Sequence, residues 1–213
     1  KVLMEKKCNL LDYEVITDEN NRRLIFFGSY AGLAGMIDAF WAYGQKIKMQ
    51  GVDSAFSKIK QASKYDDLKH AKTHLKEIAE EIKQNGLPKE LSPLVIGVAG
   101  YGNVSKGAQE IIDIFPIKEI KPSDLGNLDS LDSLNHIYKV VFKEEDMVEP
   151  IDASKSFVLQ DYFENPQNYR SVFEKYLDKM TIMVNAIFWT DKYPRLAIKE
   201  AMKKLWHENK RKL

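Results

Sequence analysis

Two glycines, Gly100 and Gly102, stand where a short apolar segment at 94–99 gives way to a polar, helix-like segment. The first glycine permits a tight turn after a strand, and the second lets the backbone approach a phosphate without a Cβ in the way. Amides at the start of the following helix then point at the phosphate oxygens, aided by the helix dipole. This spacing predicts a phosphate-binding turn; a merely structural tight turn is the alternative.

The residues that follow the glycines contribute to this predicted site in different ways. The third position of the glycine pattern is Ser105, which is small enough to permit close packing of the helix on the strand. Lys106 is the one cation within the turn. The residues expected to hold the phosphates are Gly100, Tyr101, Gly102, Asn103, Val104 and Ser105.

The group that contacts the adenosine ribose is expected about 20 residues after the glycines, at the end of the next strand. That strand is predicted at 117–121, and Lys121 ends it. A cation there suits a 2′-phosphate and favours NADP a little over NAD. Glu119 reverses the preference if the register differs by two residues, so the cofactor is left as NADP or NAD.

Polar side chains also follow the last predicted strand, at 181–188. Ligands of parallel α/β sheets lie outside the carboxyl ends of the strands, so Asn185 and Ala186 are expected to contact the cofactor. Arg195 could pair bidentately with a substrate carboxylate. The alternative is that Arg195 is a surface residue and that Phe188 and Trp189 belong to the core.

The elements that must position these residues alternate between strands and helices from residue 94 onward. The predicted strands are 94–99, 117–121, 137–142 and 181–188, and the predicted helices are 29–50, 66–84, 103–115, 166–179 and 196–209. A short strand is also predicted at 8–13, and the acidic segment at 143–165 is predicted to be irregular. Such alternation predicts an α/β fold, a Rossmann-type parallel sheet with flanking helices, preceded by an extended segment and a long connecting helix. Small residues in the first long helix, from Ala31 to Gly35, should let it approach another backbone closely.

Composition excludes several classes of partner. The 213 residues carry a net charge of +1, which gives no field for nucleic acid or an anionic membrane. No apolar run reaches the ~18 residues of a spanning helix. The lone cysteine, Cys8, cannot form an internal disulfide and is expected to be buried, which favours a reducing location in the cytoplasm or an organelle matrix. His70 and His74 have the spacing of two metal ligands but no evident third, so no metal is predicted.

Several stretches together carry a resemblance to a known family. They are Asn9-Leu-Leu-Asp-Tyr-Glu14, Arg23-Leu-Ile-Phe-Phe-Gly-Ser-Tyr-Ala-Gly-Leu-Ala-Gly-Met-Ile-Asp38, Gly100-Tyr-Gly-Asn-Val-Ser-Lys-Gly-Ala-Gln109, Asn185-Ala-Ile-Phe-Trp189 and Pro194-Arg-Leu196. The set resembles the lysine–2-oxoglutarate reductase and saccharopine dehydrogenase family, which includes the N-terminal half of aminoadipic semialdehyde synthase. Alanine dehydrogenase and transhydrogenase are more distant kin.

The resemblance implies a two-domain oxidoreductase that condenses lysine with 2-oxoglutarate to saccharopine using NADPH, or runs the reverse. It implies residues 1–28 as a remnant of the substrate domain, 29–90 as connecting helices and 91–213 as the NAD(P)-binding domain. Members place a catalytic Lys and His outside this region, so no catalytic residue is assigned and the chain is expected to be incomplete for catalysis. The expected partners are a dinucleotide and either the remaining substrate domain or further copies of the chain. A non-catalytic, regulatory or assembly module that binds a dinucleotide is the alternative.

Overall fold

The computed structural model of the chain describes residues 1–131, 134–188 and 190–208. Trp189 and the predicted end of the last helix at Asn209 therefore lie outside the described residues. The helices are α1 (Val2–Glu5), α2 (Gly28–Met49), α3 (Leu68–Asn85), α4 (Asn103–Ile112), α5 (Glu144–Met147), α6 (Leu159–Glu164), α7 (Glu174–Leu177) and α8 (Lys199–His207). The strands are β1 (Val95–Ala99), β2 (Ile117–Glu119), β3 (Ile137–Phe142), β4 (Val148–Pro150), β5 (Tyr169–Ser171) and β6 (Ile182–Asn185).

Four strands form a parallel sheet in the order β2-β3-β1-β6. All five residues of β1 are buried, as expected for a central parallel strand that helices cover on both faces. Gly97 lies opposite Val140 of β3 and Met183 of β6, so β1 pairs along both edges. The predicted α/β class with a Rossmann-type parallel sheet is confirmed.

The side chains of β1 point alternately to the two faces of the sheet and belong to two separate buried clusters. Ile96 and Val98 pack into one cluster with residues of α2, α3 and α4, whereas Val95 and Ala99 pack into the other. The helices predicted as a connecting region therefore share a core with the central strand. The division of the chain into three ranges remains a prediction.

The long helix α2 packs closely on α4, the helix that begins at the glycine turn. A Cβ on Gly32 would overlap the carbonyl oxygen of Val104, and a Cβ on Gly107 would overlap that of Ser29. The small residues of α2 therefore do what the sequence predicts, because two backbones can meet only where neither carries a side chain. This contact fixes where the first turn of α4 lies relative to the sheet.

The N-terminal segment differs from its prediction. A strand was expected near residues 8–13, but this stretch has no strand, and a short helix, α1, precedes it. One isolated bridge joins Thr17 and Arg23. Cys8 is exposed rather than buried. Apolar side chains such as Leu11 are exposed here, so the apolar sequence pattern predicted more regular structure than this region has.

The predicted helix at 166–179 is also wrong. Residues Tyr169, Phe173 and Leu177 are buried at helical spacing, yet they lie on β5, a turn and the short helix α7. β5 pairs antiparallel with β4, and Arg170 reinforces the pair by an ion pair with Glu149 (2.7 Å). The segment at 143–165, predicted as irregular, contains α5, β4 and α6. The pairing of β4 with β5, and not the local sequence pattern, determines the structure in both places.

Candidate functional site

The turn after β1 is held in a conformation that glycine favours. Gly100 has a φ of +93°, and a Cβ there would lie 2.8 Å from Cγ2 of Ile187. Its amide donates a hydrogen bond to the carbonyl oxygen of Phe142 at 2.9 Å, which ties the turn to the end of β3. The first glycine of the pattern therefore has a conformational role and a packing role in the protein itself.

The second glycine of the pattern differs, because no described protein atom lies where its side chain would be. A Cβ on Gly102 would meet nothing within 4 Å. Gly102 is the N-cap of α4, and no side chain caps this helix. Asn103 is exposed beside it, while Ser105 is buried and its hydroxyl accepts a hydrogen bond from Gln109 (2.9 Å). Ser105 thus serves packing, and the open space at Gly102 is where the first helical amides face outward.

A cleft of about 320 Å³ lies at the carboxyl ends of β1, β3 and β6. Its lining comes from the turn, from the segments after β3 and β6, and from an aromatic wall: Gly100, Tyr101, Gly102, Glu144, Met147, Tyr162, Phe163, Ala186, Ile187, Phe188 and Tyr193. This is the edge of a parallel α/β sheet at which ligands bind. Burial, the neighbouring Tyr193 and the Glu144 carboxylate raise the pKa of Tyr162 to about 12, so this wall stays uncharged.

Glu144 supplies the one carboxylate among the described residues that line the cleft. It is half-buried, and its carboxylate lies near the hydroxyl of Tyr101. The negative charge of Glu144, then burial, raises the pKa of Tyr101, so this hydroxyl stays protonated. Glu144 is a lining residue that was not predicted from the sequence. It could have been predicted if the strongly apolar strand at 137–142 had been placed beside β1, because Glu144 closely follows the end of that strand.

Lys121 lies away from this cleft. It follows β2, which pairs with β3 and does not touch β1 in the sheet. Its side chain is exposed, and its backbone amide donates to Asp124 (2.9 Å). The alternative residue, Glu119, forms an ion pair with Lys139 at 3.1 Å. The structure does not bring either residue to the cleft lining.

The three residues predicted after the last strand divide between the cleft and the surface. Ala186 lines the cleft, and its amide donates to the carbonyl oxygen of Ala99 (3.0 Å). Asn185 is exposed, and its side-chain oxygen accepts a hydrogen bond from the amide of Ile187 (3.4 Å). Arg195 pairs with Asp191 at 3.6 Å and does not contribute to the lining.

The two histidines of α3 point to separate neighbours. Nδ1 of His74 lies 2.8 Å from the hydroxyl of Tyr65, and Nδ1 of His70 lies 3.0 Å from a carboxylate oxygen of Asp66. Burial, then the charge of Lys60, lowers the pKa of His74, which is therefore neutral at pH 7. These contacts account for both side chains without a ligand.

The parallel sheet, the glycine turn and the cleft at the strand ends define a Rossmann-type α/β domain. No protein-family model matches the chain. Among curated proteins the chain is similar to alpha-aminoadipic semialdehyde synthase of Arabidopsis thaliana, with 35% identity over 206 residues that cover 91% of the chain and 19% of that relative. The mitochondrial alpha-aminoadipic semialdehyde synthases of Mus musculus and Bos taurus are 28% and 29% identical over 200 residues, covering 93% of the chain and 21% of each relative.

These similarities confirm the resemblance that the motifs carry: the chain is homologous to one region of the alpha-aminoadipic semialdehyde synthases. It spans about a fifth of the length of these curated relatives. Within the residues that the structure describes, no helix is both long and apolar enough to cross a membrane.

Proposed function

We propose that this chain is the NAD(P)-binding domain of an amino-acid oxidoreductase of lysine metabolism that resembles lysine–2-oxoglutarate reductase. The observation that carries the proposal is the open position at Gly102, where a Cβ would meet no protein atom in a cleft at the carboxyl end of β1. The similarity to alpha-aminoadipic semialdehyde synthases supports the choice of reaction class.

The glycine turn fits a pyrophosphate. The turn is fixed by Gly100, α4 begins at Gly102 without a capping side chain, and the first amides of α4 belong to Asn103, Val104 and Ser105. A dinucleotide phosphate would accept hydrogen bonds from these amides and lie at the positive end of the helix dipole. No carboxylate side chain of α4 lies in its first turn to oppose that charge.

The side of the cleft beyond β6 suits the nicotinamide ring. Ala186, Ile187 and Phe188 follow β6 and present apolar surface there, and Tyr162 and Tyr193 face them across the cleft. The bound dinucleotide would supply hydride transfer to or from the carbon of the imine that the amine of lysine forms with the keto group of 2-oxoglutarate. The apolar wall would exclude water from that ring.

We also propose that the chain binds its cofactor without completing the reaction. No lysine or histidine lines the cleft in the part of the chain that the structure describes, so the catalytic lysine and histidine that the resemblance implies are not among these lining residues. A substrate domain on the same polypeptide or on another copy would supply them. Of the two predicted locations, cytoplasm and organelle matrix, the organelle matrix agrees with the word mitochondrial in the names of the mammalian relatives.

The test is titration calorimetry with NADH and NADPH on the wild-type chain and on two glycine variants. Gly102→Ala places a methyl group where the pyrophosphate would lie, so we expect dinucleotide affinity to fall at least about tenfold. Gly35→Ala is the matched control, because Gly35 is an exposed residue of α2 whose Cβ would also meet nothing within 4 Å. It should bind as the wild type does.

Two outcomes would contradict the proposal. Absence of binding of either dinucleotide at millimolar concentration would reject the cofactor domain, and equal affinity of the two glycine variants would reject the glycine turn as the binding site. The alternative function, a non-catalytic module, predicts binding as well. It is distinguished by adding lysine, 2-oxoglutarate and the relatives' remaining region in trans: restored NAD(P)H oxidation supports the oxidoreductase.

A further inference from the structure

A second cavity lies beside the antiparallel pair β4–β5, and we call it the side cavity. Its volume is about 250 Å³, and it shares no described lining residue with the cleft at the strand ends. The polar part of its lining comes from the turn after β4, from α6 and from the residues around the start of β5: Asp152, Lys155, Asp161, Gln167, Asn168 and Tyr169. The side cavity is therefore a separate place at which a small polar molecule can be enclosed.

The two carboxylates of the side cavity are held in place by protein donors. Asp161 accepts hydrogen bonds from the side-chain amide of Asn165 (2.9 Å) and from the hydroxyl of the buried Tyr169 (2.9 Å). Asp152 accepts hydrogen bonds from the hydroxyl (2.7 Å) and the backbone amide (3.0 Å) of Ser154. These hydrogen bonds lower the pKa of both carboxyl groups, so both are negatively charged at neutral pH. A ligand would meet two charges that are already oriented.

Lys155 supplies a positive charge to the same cavity. After the hydrogen bonds just described, its charge also contributes to the lowered pKa of Asp152 and Asp161, which places its ammonium group near both. Among the residues that the structure describes, however, no ion pair joins Lys155 to either carboxylate. Opposite charges that surround one space without pairing directly leave room for a ligand that carries both signs.

The charges of the lining select a chemical class of ligand. Two carboxylates match two ammonium groups, and the ammonium group of Lys155 matches one carboxylate. A diamino monocarboxylic acid carries these three groups, and its single net positive charge balances the one excess carboxylate of the lining. A volume just below the roughly 300 Å³ of the smallest pockets for drug-sized ligands suits a molecule of about ten non-hydrogen atoms. The side-chain amides of Gln167 and Asn168 offer further donors and acceptors.

A metal ion matches the side cavity less well. Hard divalent cations require several oxygen ligands, and the nearby ammonium group of Lys155 would repel them. Within the described part of the chain, no three acidic, histidine or cysteine side chains are grouped so that they could hold a metal ion. The same ammonium group would donate to the carboxylate of an amino acid, so the lining favours an organic ligand.

We propose that the side cavity binds a diamino monocarboxylic acid, the class to which lysine belongs, with Lys155 on its carboxylate and Asp152 and Asp161 on its two ammonium groups. Because the side cavity is not the cleft, the molecule bound there would not be the reacting substrate. The helix α6 contributes to both places, since Tyr162 follows Asp161 and lines the cleft. The ring of Tyr162 lies 5.3 Å from that of Tyr169 in the side cavity. The inference does not depend on dinucleotide binding.

The experiment is titration calorimetry of the chain with three ligands that differ by one charged group. L-lysine carries all three groups, norleucine lacks the side-chain ammonium group, and cadaverine lacks the carboxylate. We expect the wild type to bind lysine at least about tenfold more tightly than norleucine or cadaverine, because only lysine engages all three charges.

Three variants locate the binding site. Lys155→Gln removes the positive charge of an exposed side chain, so the preference for lysine over cadaverine should shrink at least about fivefold. Asp161→Asn removes one negative charge and keeps an oxygen for the hydroxyl of Tyr169, so lysine affinity should fall about three- to tenfold. Glu164→Gln is the matched control, because Glu164 is an exposed carboxylate of the same helix that does not line the side cavity. It should bind lysine as the wild type does.

Several outcomes would overturn the inference. Absence of lysine binding at tens of millimolar, or equal affinity for the three ligands, would show that the side cavity does not recognise this class. Unchanged lysine binding in both Lys155→Gln and Asp161→Asn would place the ligand elsewhere, and an equal loss in Glu164→Gln would show a general effect of charge. The melting temperature of each variant reports its folding, and Lys155→Gln decides alone if Asp161→Asn unfolds. Dinucleotide affinity is measured separately, so failure here leaves the proposed function standing.

Discussion

Lys139 is a buried cation within the inner strand β3, and two carboxylates hold it. Its side chain is 6% exposed, and its ammonium lies 2.7 Å from Asp113 and 3.1 Å from Glu119. Burial alone lowers the pKa of Lys139, but hydrogen bonds to the two carboxylates outweigh burial and raise the pKa above its ordinary value of 10.5. Both carboxylates keep access to water, so only the lysine depends on the pair for its solvation.

This cation leads to a prediction about alkaline pH. A pKa that is higher in the folded state than in the unfolded state stabilises the protein below the unfolded pKa, and that stability is lost as pH rises through the folded value. The free energy of unfolding of the wild type relative to Lys139→Met should therefore be constant near neutral pH and fall above about pH 10. Urea unfolding at several pH values measures it, and Lys76→Met, an exposed lysine of α3, is the control. A difference that stays flat or rises would refute the argument.

At the scale of elements, the contact between α2 and α4 determines where the glycine turn lies. Val104 and Ala108 of α4 meet Gly32 of α2, and Gly107 of α4 meets the carbonyl oxygen of Ser29. Because each glycine faces backbone rather than a flexible side-chain end, an added methyl group can be accommodated only by moving the helices apart.

We therefore expect Gly32→Ala to lower the free energy of unfolding by about 2 to 3 kcal/mol. Gly35→Ala, on the same helix but facing open space, should raise it by about 0.5 to 1 kcal/mol, because alanine is the better helix former. Thermal or urea unfolding of the two variants gives the comparison. Stabilisation by both alanines would mean that α2 and α4 do not approach as closely as described here.

The elements with strong local signals could be predicted from the sequence, and those that depend on distant pairing could not. α3 begins after Asp67, whose side chain caps the amide of His70 (2.7 Å), and ends before Gly86 at a φ of +76°, as its sequence indicates. The pair β4–β5 has no such signal, since three residues on each strand find each other across about 20 residues of chain. Tyr169 and Phe173 are four residues apart, as on one face of a helix, but neither lies in a helix.

At the scale of the whole molecule, the candidate cleft is assembled from segments far apart in sequence. The glycine turn at 100–102 could be predicted because its signal is local. Glu144 could not, because its place beside the turn depends on β3, and not β2, being the neighbour of β1. Tyr162 and Tyr193 reach the cleft only through packing of the region after β4, with ring centroids 5.3 Å apart. The composition of the cleft could not be predicted because the sequence pattern does not give the order of the strands in the sheet.

A cleft built from so many segments links ligand binding to the stability of the whole domain. A ligand that binds only the folded state at about 100 times its dissociation constant stabilises by about 2.7 kcal/mol. For a chain of 213 residues this corresponds to a rise in melting temperature of about 5 to 10 °C. We expect that rise with whichever dinucleotide, NADH or NADPH, the cleft binds at that concentration.

The glycine variants locate the source of this stabilisation. In Gly102→Ala the rise with the dinucleotide should largely disappear, while the melting temperature without ligand stays near that of the wild type because the added methyl group meets no protein atom. In Gly35→Ala the full rise should remain, starting from a slightly higher temperature. Differential scanning fluorimetry with and without each dinucleotide makes the measurement. An undiminished rise in Gly102→Ala would mean that the dinucleotide stabilises the fold from a site other than the cleft at the end of β1.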